Sequence, residues 1–165
     1  VLLRDAGCDL IMLQMMYDPV RMPAVYAAAA ETGLPIWAGF SARRGPQGQI
    51  LGFSPENPVA FESIVAVLEG WNIAAAGIMH TPSDLVSDAL RILRGVFDGP
   101  LMAYPDSGYF KSPNWEFEDI LRPDDLRGFA EQWIEEGAQV IGGCCGLGPE
   151  HIKALSQLRR PPPCA

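Results

Sequence analysis

A chain of 165 residues makes one domain of ordinary size, able to bury about 68 to 70% of its unfolded surface. Its 48% hydrophobic and 19% charged residues exclude disorder for most of the length. The net charge of -8 sets nucleic acid and anionic membrane surfaces aside as partners, leaving small molecules and other proteins.

The longest uncharged apolar run, Trp71 to Thr81, is about half of the roughly 20 residues a membrane-spanning helix needs. Arg4 and Asp5 interrupt the first apolar residues, unlike a signal peptide, and the chain opens on Val1, so an excised or truncated piece is expected. Four cysteines, two of them adjacent, are too few for a disulfide scaffold and fit a reducing, cytoplasmic setting.

In chain order, a helix end at the N-terminus is followed by five strand-then-helix units. The apolar runs Asp9 to Met15, Pro35 to Ser41, Asn72 to Met79, Pro100 to Tyr104 and Ala138 to Gly143 carry no charge after their first residue. Parallel strands covered on both faces read this way. Pro23 opens an alanine-rich helix to Thr32, stopped at Gly33, and Pro58 opens one that carries Phe61, Ile64, Val65 and Leu68 inward before Gly70. Thr81-Pro82-Ser83-Asp84 reads as an N-cap, a proline at the first helical position and an acid three residues after the cap. Pro123 begins a helix with an apolar stripe of Leu126, Phe129, Ala130, Trp133 and Ile134, ending near Gly137. Pro149 begins the last, with Ile152, Leu155 and Leu158 inward, and the tail Pro161 to Ala165 cannot continue it.

Two α/β architectures accommodate this order: a complete five-stranded doubly wound sheet, or part of a (β/α)8 TIM barrel, which needs about 250 residues in full. Periodicity does not choose between them. In both, function sits where strands end and helices begin.

The fifth strand runs into Gly142-Gly143-Cys144-Cys145-Gly146. Adjacent strand residues point to opposite faces, so two neighbouring cysteines serve one site only if the backbone leaves the strand, which the glycines permit. They read either as zinc-ligating thiolates or as small buried thiols under a helix. The third strand ends in Met79-His80, and two thiolates with one imidazole would be a three-ligand set with a fourth position open. His151, in the first turn of the last helix, is expected to face solvent. Cys8 reads as a buried small hydrophobe and Cys164 as an exposed tail thiol. The segments Arg43 to Gly52 and Ser107 to Arg122 read as loops over the rim, the first solvated, the second packed down by Tyr109, Phe110, Trp115 and Phe117.

Gly142-Gly143-Cys144-Cys145-Gly146 with Pro149-Glu150-His151-Ile152 resembles the closing motif of the homocysteine S-methyltransferase family. Tyr104-Pro105-Asp106-Ser107-Gly108 is similar to the family's Tyr-Pro-Asn-x-Gly, and Gly77-Ile78-Met79-His80-Thr81-Pro82 to its Gly-x-Asn-Cys element. The resemblance implies a TIM barrel of which residues 1–160 cover about strands four to eight, followed by a Pro-rich tail at 161–165. It implies zinc held by His80, Cys144 and Cys145, with histidine in place of a family cysteine. Gln14 stands where the family has a glutamate that meets the substrate ammonium, and Asp106 where it has asparagine. The function implied is zinc-dependent methyl transfer to the thiol of homocysteine or a related thiol, from a small-molecule methyl donor. The alternative is a non-catalytic homologue that binds a ligand or partner, and self-association or a missing N-terminal half is expected.

Overall fold

The computed structural model describes residues 2–111 and 113–158; the tail 161–165, with Cys164, and the domain's expected last residues lie outside the described residues. A short helix α1 (Leu2–Asp5) precedes β1 (Ile11–Met16), α2 (Met22–Ala30) and β2 (Ile36–Phe40). A hairpin of β3 (Ala42–Arg44) and β4 (Ile50–Gly52) leads to α3 (Phe61–Val65), which tightens into a 3-10 turn at Ala66–Leu68. Next come β5 (Ala75–Pro82), α4 (Ser83–Arg94) and β6 (Leu101–Asp106). A second hairpin, β7 (Tyr109–Lys111) and β8 (Asn114–Glu116), precedes α5 (Pro123–Glu135), β9 (Ala138–Ile141) and α6 (Pro149–Leu155).

The main sheet has the order β1-β2-β5-β6-β9, and every neighbouring pair is parallel. Strands therefore lie side by side in chain order. Right-handed crossovers in an order that never reverses place every connecting helix on one face, whereas a doubly wound sheet needs a reversal that sends helices to both. The doubly wound alternative is thereby overturned, and the sheet is a stretch of barrel wall.

Residue rows across the sheet show the two faces. Leu13, Ala38, Ala76, Leu101 and Ala138 fall in register and pack with helix residues Tyr26, Leu85, Val86, Leu90, Leu126 and Trp133 in the main core. One step along, Gly39, Gly77, Met102 and Val140 form the next row, on the face opposite the described helices. That face is filled by Ala75, Met79, Met102 and Tyr104, with Trp37 and Cys144 against them. Glycines are needed at Gly39 and Gly77 because β6 occupies the space: a Cβ at Gly39 would overlap the Tyr104 hydroxyl, and one at Gly77 the Met102 backbone.

Helix α4 buries Leu85, Val86, Ala89, Leu90 and Leu93, spaced as one stripe of a 3.6-residue period. Helix α5 places Asp124 and Asp125 in its first turn, favourable at the positive end of the helix dipole, and buries Leu126, Ala130 and Trp133. Trp133 has no exposed surface and stacks on Phe129 at 6.0 Å between ring centroids. Replacing Trp133 by alanine is expected to cost about 3–5 kcal/mol of stability, read as a lower urea midpoint; an unchanged midpoint would deny it a place in the core.

Several local expectations are corrected. Thr81 is not the cap of α4: the strand continues to Pro82, and the Thr81 hydroxyl donates to the Met79 carbonyl (2.7 Å) while accepting from the Ala42 amide (3.0 Å). The segment 43–52 is mostly hairpin, since Arg43 pairs with Leu51; Arg43 donates to the Ser54 carbonyl and Arg44 pairs with Asp84. In α6 the buried residues are His151, Ala154 and Leu155, while Ile152 is 46% exposed, because Leu158 lies past the helix end and the inward stripe starts one residue earlier. Cys8 is exposed, lying in the turn before β1 rather than in it. The side chains of Tyr109, Phe110 and Trp115 lie outside the described ones.

Candidate metal centre

Strand β5 delivers His80 at its C-terminal end through a break in register between Met79 and Pro82. At that break His80 takes a positive φ of 44°, a conformation costing roughly 1–3 kcal/mol for a non-glycine residue, so its surroundings must hold it. The Ser41 hydroxyl donates to the His80 carbonyl at 2.6 Å, Thr81 ties the flanking backbone, and the Phe53 ring lies 5.2 Å from the imidazole, centroid to centroid. The imidazole is thus buried, 7% exposed, and fixed.

The vicinal cysteines leave β9 in a turn sewn to the end of β6. The Gly142 amide donates to the Ala103 carbonyl (2.9 Å), the Cys144 amide to that of Pro105 (2.7 Å), and the Ser107 amide to that of Cys145 (2.8 Å). Gly146 closes the turn at φ 78°. Both thiols thereby face His80. The Cys144 sulfur lies 3.6 Å from His80 Nδ1, the Cys145 sulfur 3.6 Å from the same nitrogen, and the sulfurs are 3.8 Å apart.

Those lengths can be compared with what a metal demands. Tetrahedral zinc with bonds of about 2.3 Å to sulfur and about 2.0–2.1 Å to nitrogen requires edges of about 3.8 Å between sulfurs and about 3.6 Å between sulfur and nitrogen. The three edges observed have those values, whereas a disulfide would need about 2.05 Å between the sulfurs. Among the described residues this trio is the one group of His, Cys, Asp and Glu whose ligand atoms all lie within 4.8 Å of one another.

Burial pushes the Cys144 thiol up to about 11, with Cys145 and Asp106 adding to the rise and a backbone hydrogen bond opposing it. Burial likewise raises the Asp106 carboxyl, against the pull of His80. A divalent ion bound beside them would oppose this rise by favouring their charged forms.

Asp106, at the end of β6, places Oδ2 3.7 Å from His80 Nδ1, with its side chain 10% exposed, so it borders the trio without joining it. Gln14 is on β1, four strands from β9, and outside the trio. On the inner face of the sheet, burial pushes the Tyr104 phenol up to about 12, with Cys144 acting in the same direction and Gln14 against it.

The family model for homocysteine S-methyltransferase matches residues 1–159. The chain belongs to the homocysteine S-methyltransferase family. Within this family it is similar to selenocysteine methyltransferase of Astragalus bisulcatus, 25% identical over 95% of this chain and 46% of that protein. Homocysteine S-methyltransferase 2 of Zea mays is 27% identical over 93% of this chain and 45% of its own length. The chain thus spans about half the length of the curated relatives it matches. The homocysteine methyltransferase MmuM of Escherichia coli superposes in its apo form with a TM-score of 0.70 at 28% identity, over 93% of this chain and 51% of that one. Its metallated form gives 0.69 at 27% identity, over 93% and 46%. A family member that takes up metal and a metal-shaped trio in this chain agree.

The sequence also misread His151. It is 3% exposed, not solvated: Nδ1 accepts from the Gly148 amide (3.0 Å) and Nε2 donates to the Leu121 carbonyl (2.6 Å). The missed signal was its place inside the closing motif, three residues after a glycine N-cap.

Proposed function

We propose that this chain carries the metal centre of a thiol methyltransferase, with zinc as the metal and homocysteine or a related thiol as the acceptor. The observation that supports it best is the set of three edges among His80, Cys144 and Cys145. Zinc bound there would hold the acceptor sulfur as a thiolate at neutral pH, where a free thiol, with a pKa near 8.5, stays mostly protonated. The chain's own residues bind and orient. His80 is held by Ser41 and Phe53, and the cysteine turn by the end of β6. Asp106 and Gln14 would orient the amino acid portion of the acceptor, and Met79, Met102 and Tyr104 pack beneath the site. The transfer is one displacement: an S–C bond forms to the methyl carbon of an onium donor, the bond from methyl to onium centre breaks, and the leaving group departs with its electron pair. A cytoplasmic location belongs to the same reading, because thiol ligands survive in a reducing compartment.

Metal analysis after zinc loading tests the site: about one zinc per chain is expected from a three-ligand set, and none would sink the reading in favour of a non-catalytic homologue. Replacing His80 by cysteine, which supplies a third thiolate, is expected to keep or strengthen zinc binding; loss of zinc would show that imidazole is specifically required.

Among the described residues, the sheet's outer strands β1 and β9 each have one neighbour. Beside β1, a groove of about 660 Å³ is lined by Leu2, Leu3, Ile11, Leu13, Val25 and Ala28 among others, with Leu2 86% exposed. Expressed alone, the chain is expected to cover this edge with a second copy, seen as a mass near twice the monomer in light scattering. A compact monomer at high concentration would refute self-association.

A further inference from the structure

The loop after β6 and the turn after β9 are separate in sequence, yet the metal centre draws on both. One buried side chain ties them together. His151 holds the Gly148 amide on Nδ1, which leaves the proton on Nε2, and that N–H donates to the Leu121 carbonyl at 2.6 Å. On its other side Leu121 donates its amide to the Ser107 hydroxyl at 2.8 Å. The Ser107 amide donates to the Cys145 carbonyl at 2.8 Å. An unbroken run of hydrogen bonds therefore leads from His151 through Leu121 and Ser107 to the backbone of a metal-ligand candidate.

We propose that His151 is a positioning residue: as a neutral imidazole protonated on Nε2, it latches the 107–122 loop to the cysteine turn and sets the register of Cys145 against His80. A group so placed must both accept and donate, and among side chains neutral imidazole does so through two ring nitrogens at a fixed separation. The Glu150 carboxylate, 3.4 Å from Nδ1, is its charged neighbour and is itself 64% exposed. Leu121 also lines a cavity of about 340 Å³ with Asp106, Ser107, Pro82 and Ser83, so the latch fixes one wall of the space beside the trio. The rival role is local: the Gly148 bond alone would make His151 a cap for α6 and nothing more.

Two substitutions separate these roles. Asparagine is short enough to accept from the Gly148 amide but cannot reach Leu121, whereas glutamine extends its amide to where Nε2 donates. Amide hydrogen exchange on the whole chain, without metal, is the measurement. His151→Ala and His151→Asn are expected to speed exchange at Ser107 and Leu121 by at least about tenfold, with Ile78 in β5 unchanged, and His151→Gln to restore protection. Protection restored by asparagine and not by glutamine would reduce His151 to a helix cap. Equal acceleration at Ile78 in every variant would make it a core residue, and unchanged exchange in all three would leave no latch. The latch matters to function through the metal reading above. In zinc-loaded protein, affinity is therefore expected to fall about tenfold in the alanine and asparagine variants and not in the glutamine one. Failure of the parent chain to bind zinc would sink the proposed function while the exchange data still decide the latch.

Discussion

Replacing Cys145 by alanine is expected to lower zinc affinity at least about a hundredfold while leaving helical content unchanged. The loss is large because the trio supplies three of four tetrahedral corners, and the two edges meeting at the Cys145 sulfur, 3.8 Å and 3.6 Å, disappear together. The fold survives because Cys145 lies on a turn outside the buried clusters. Chelator competition measures the affinity and far-ultraviolet circular dichroism the fold. Parent-like affinity in the variant would remove Cys145 from the ligand set. The same site sets a pH dependence. Thiol ligands must lose protons to bind a cation, and Cys144 starts from about 11, so affinity is expected to weaken as pH falls from 8 to 6.

The wall of the barrel was largely legible in the sequence because its runs lack charge after the first residue, and the central strands β2, β5 and β6 are buried along nearly their whole length. All five runs became strands of the main sheet, shifted at their ends by a few residues. Neighbour order was not legible from periodicity, which reports which faces are buried and not which strand lies alongside; only the motif resemblance pointed to a barrel. The hairpin at 42–52 escaped notice because its strands have three residues each, too short for a period-2 pattern to register. Thr81 was read as a cap because its hydroxyl precedes a proline and an acid, yet the register break at the end of β5 gave that hydroxyl other partners. His151 illustrates the same limit. A histidine in a first helical turn is usually wet, and its burial depends on Leu121, 30 residues earlier in the chain.

For the metal centre, the residue types were legible and the distances were not. Vicinal cysteines and a strand-end histidine announce the chemistry, but their 3.6 Å separations follow from two backbone turns, at His80 and at Gly146. The family resemblance placed Gln14 and Asp106 at the substrate. In the structure Asp106 borders the trio, whereas Gln14 stands exposed on β1, four strands from the cysteines.

Gly146→Ala is therefore expected to damage the centre nearly as much as removal of a ligand. The residue sits at φ 78°, where an L side chain costs roughly 1–2 kcal/mol, and a Cβ there would overlap the Ser107 carbonyl oxygen. That obstacle is backbone, so no side-chain rotation relieves it. The cysteine turn must instead draw away from β6, giving up the bond from the Ser107 amide to Cys145 and pulling the Cys145 sulfur from its corner. Zinc affinity is expected to drop by at least about tenfold, with most of the stability retained because the main core lies on the other face of the sheet. Gly48→Ala supplies the control, since Gly48 has a similar φ of 84° with nothing within 4 Å of an added Cβ. It carries the conformational cost without the overlap, so its zinc affinity should match the parent's. Equal affinity in the two alanine variants would mean that the contact between Gly146 and Ser107 does not set the position of the cysteines.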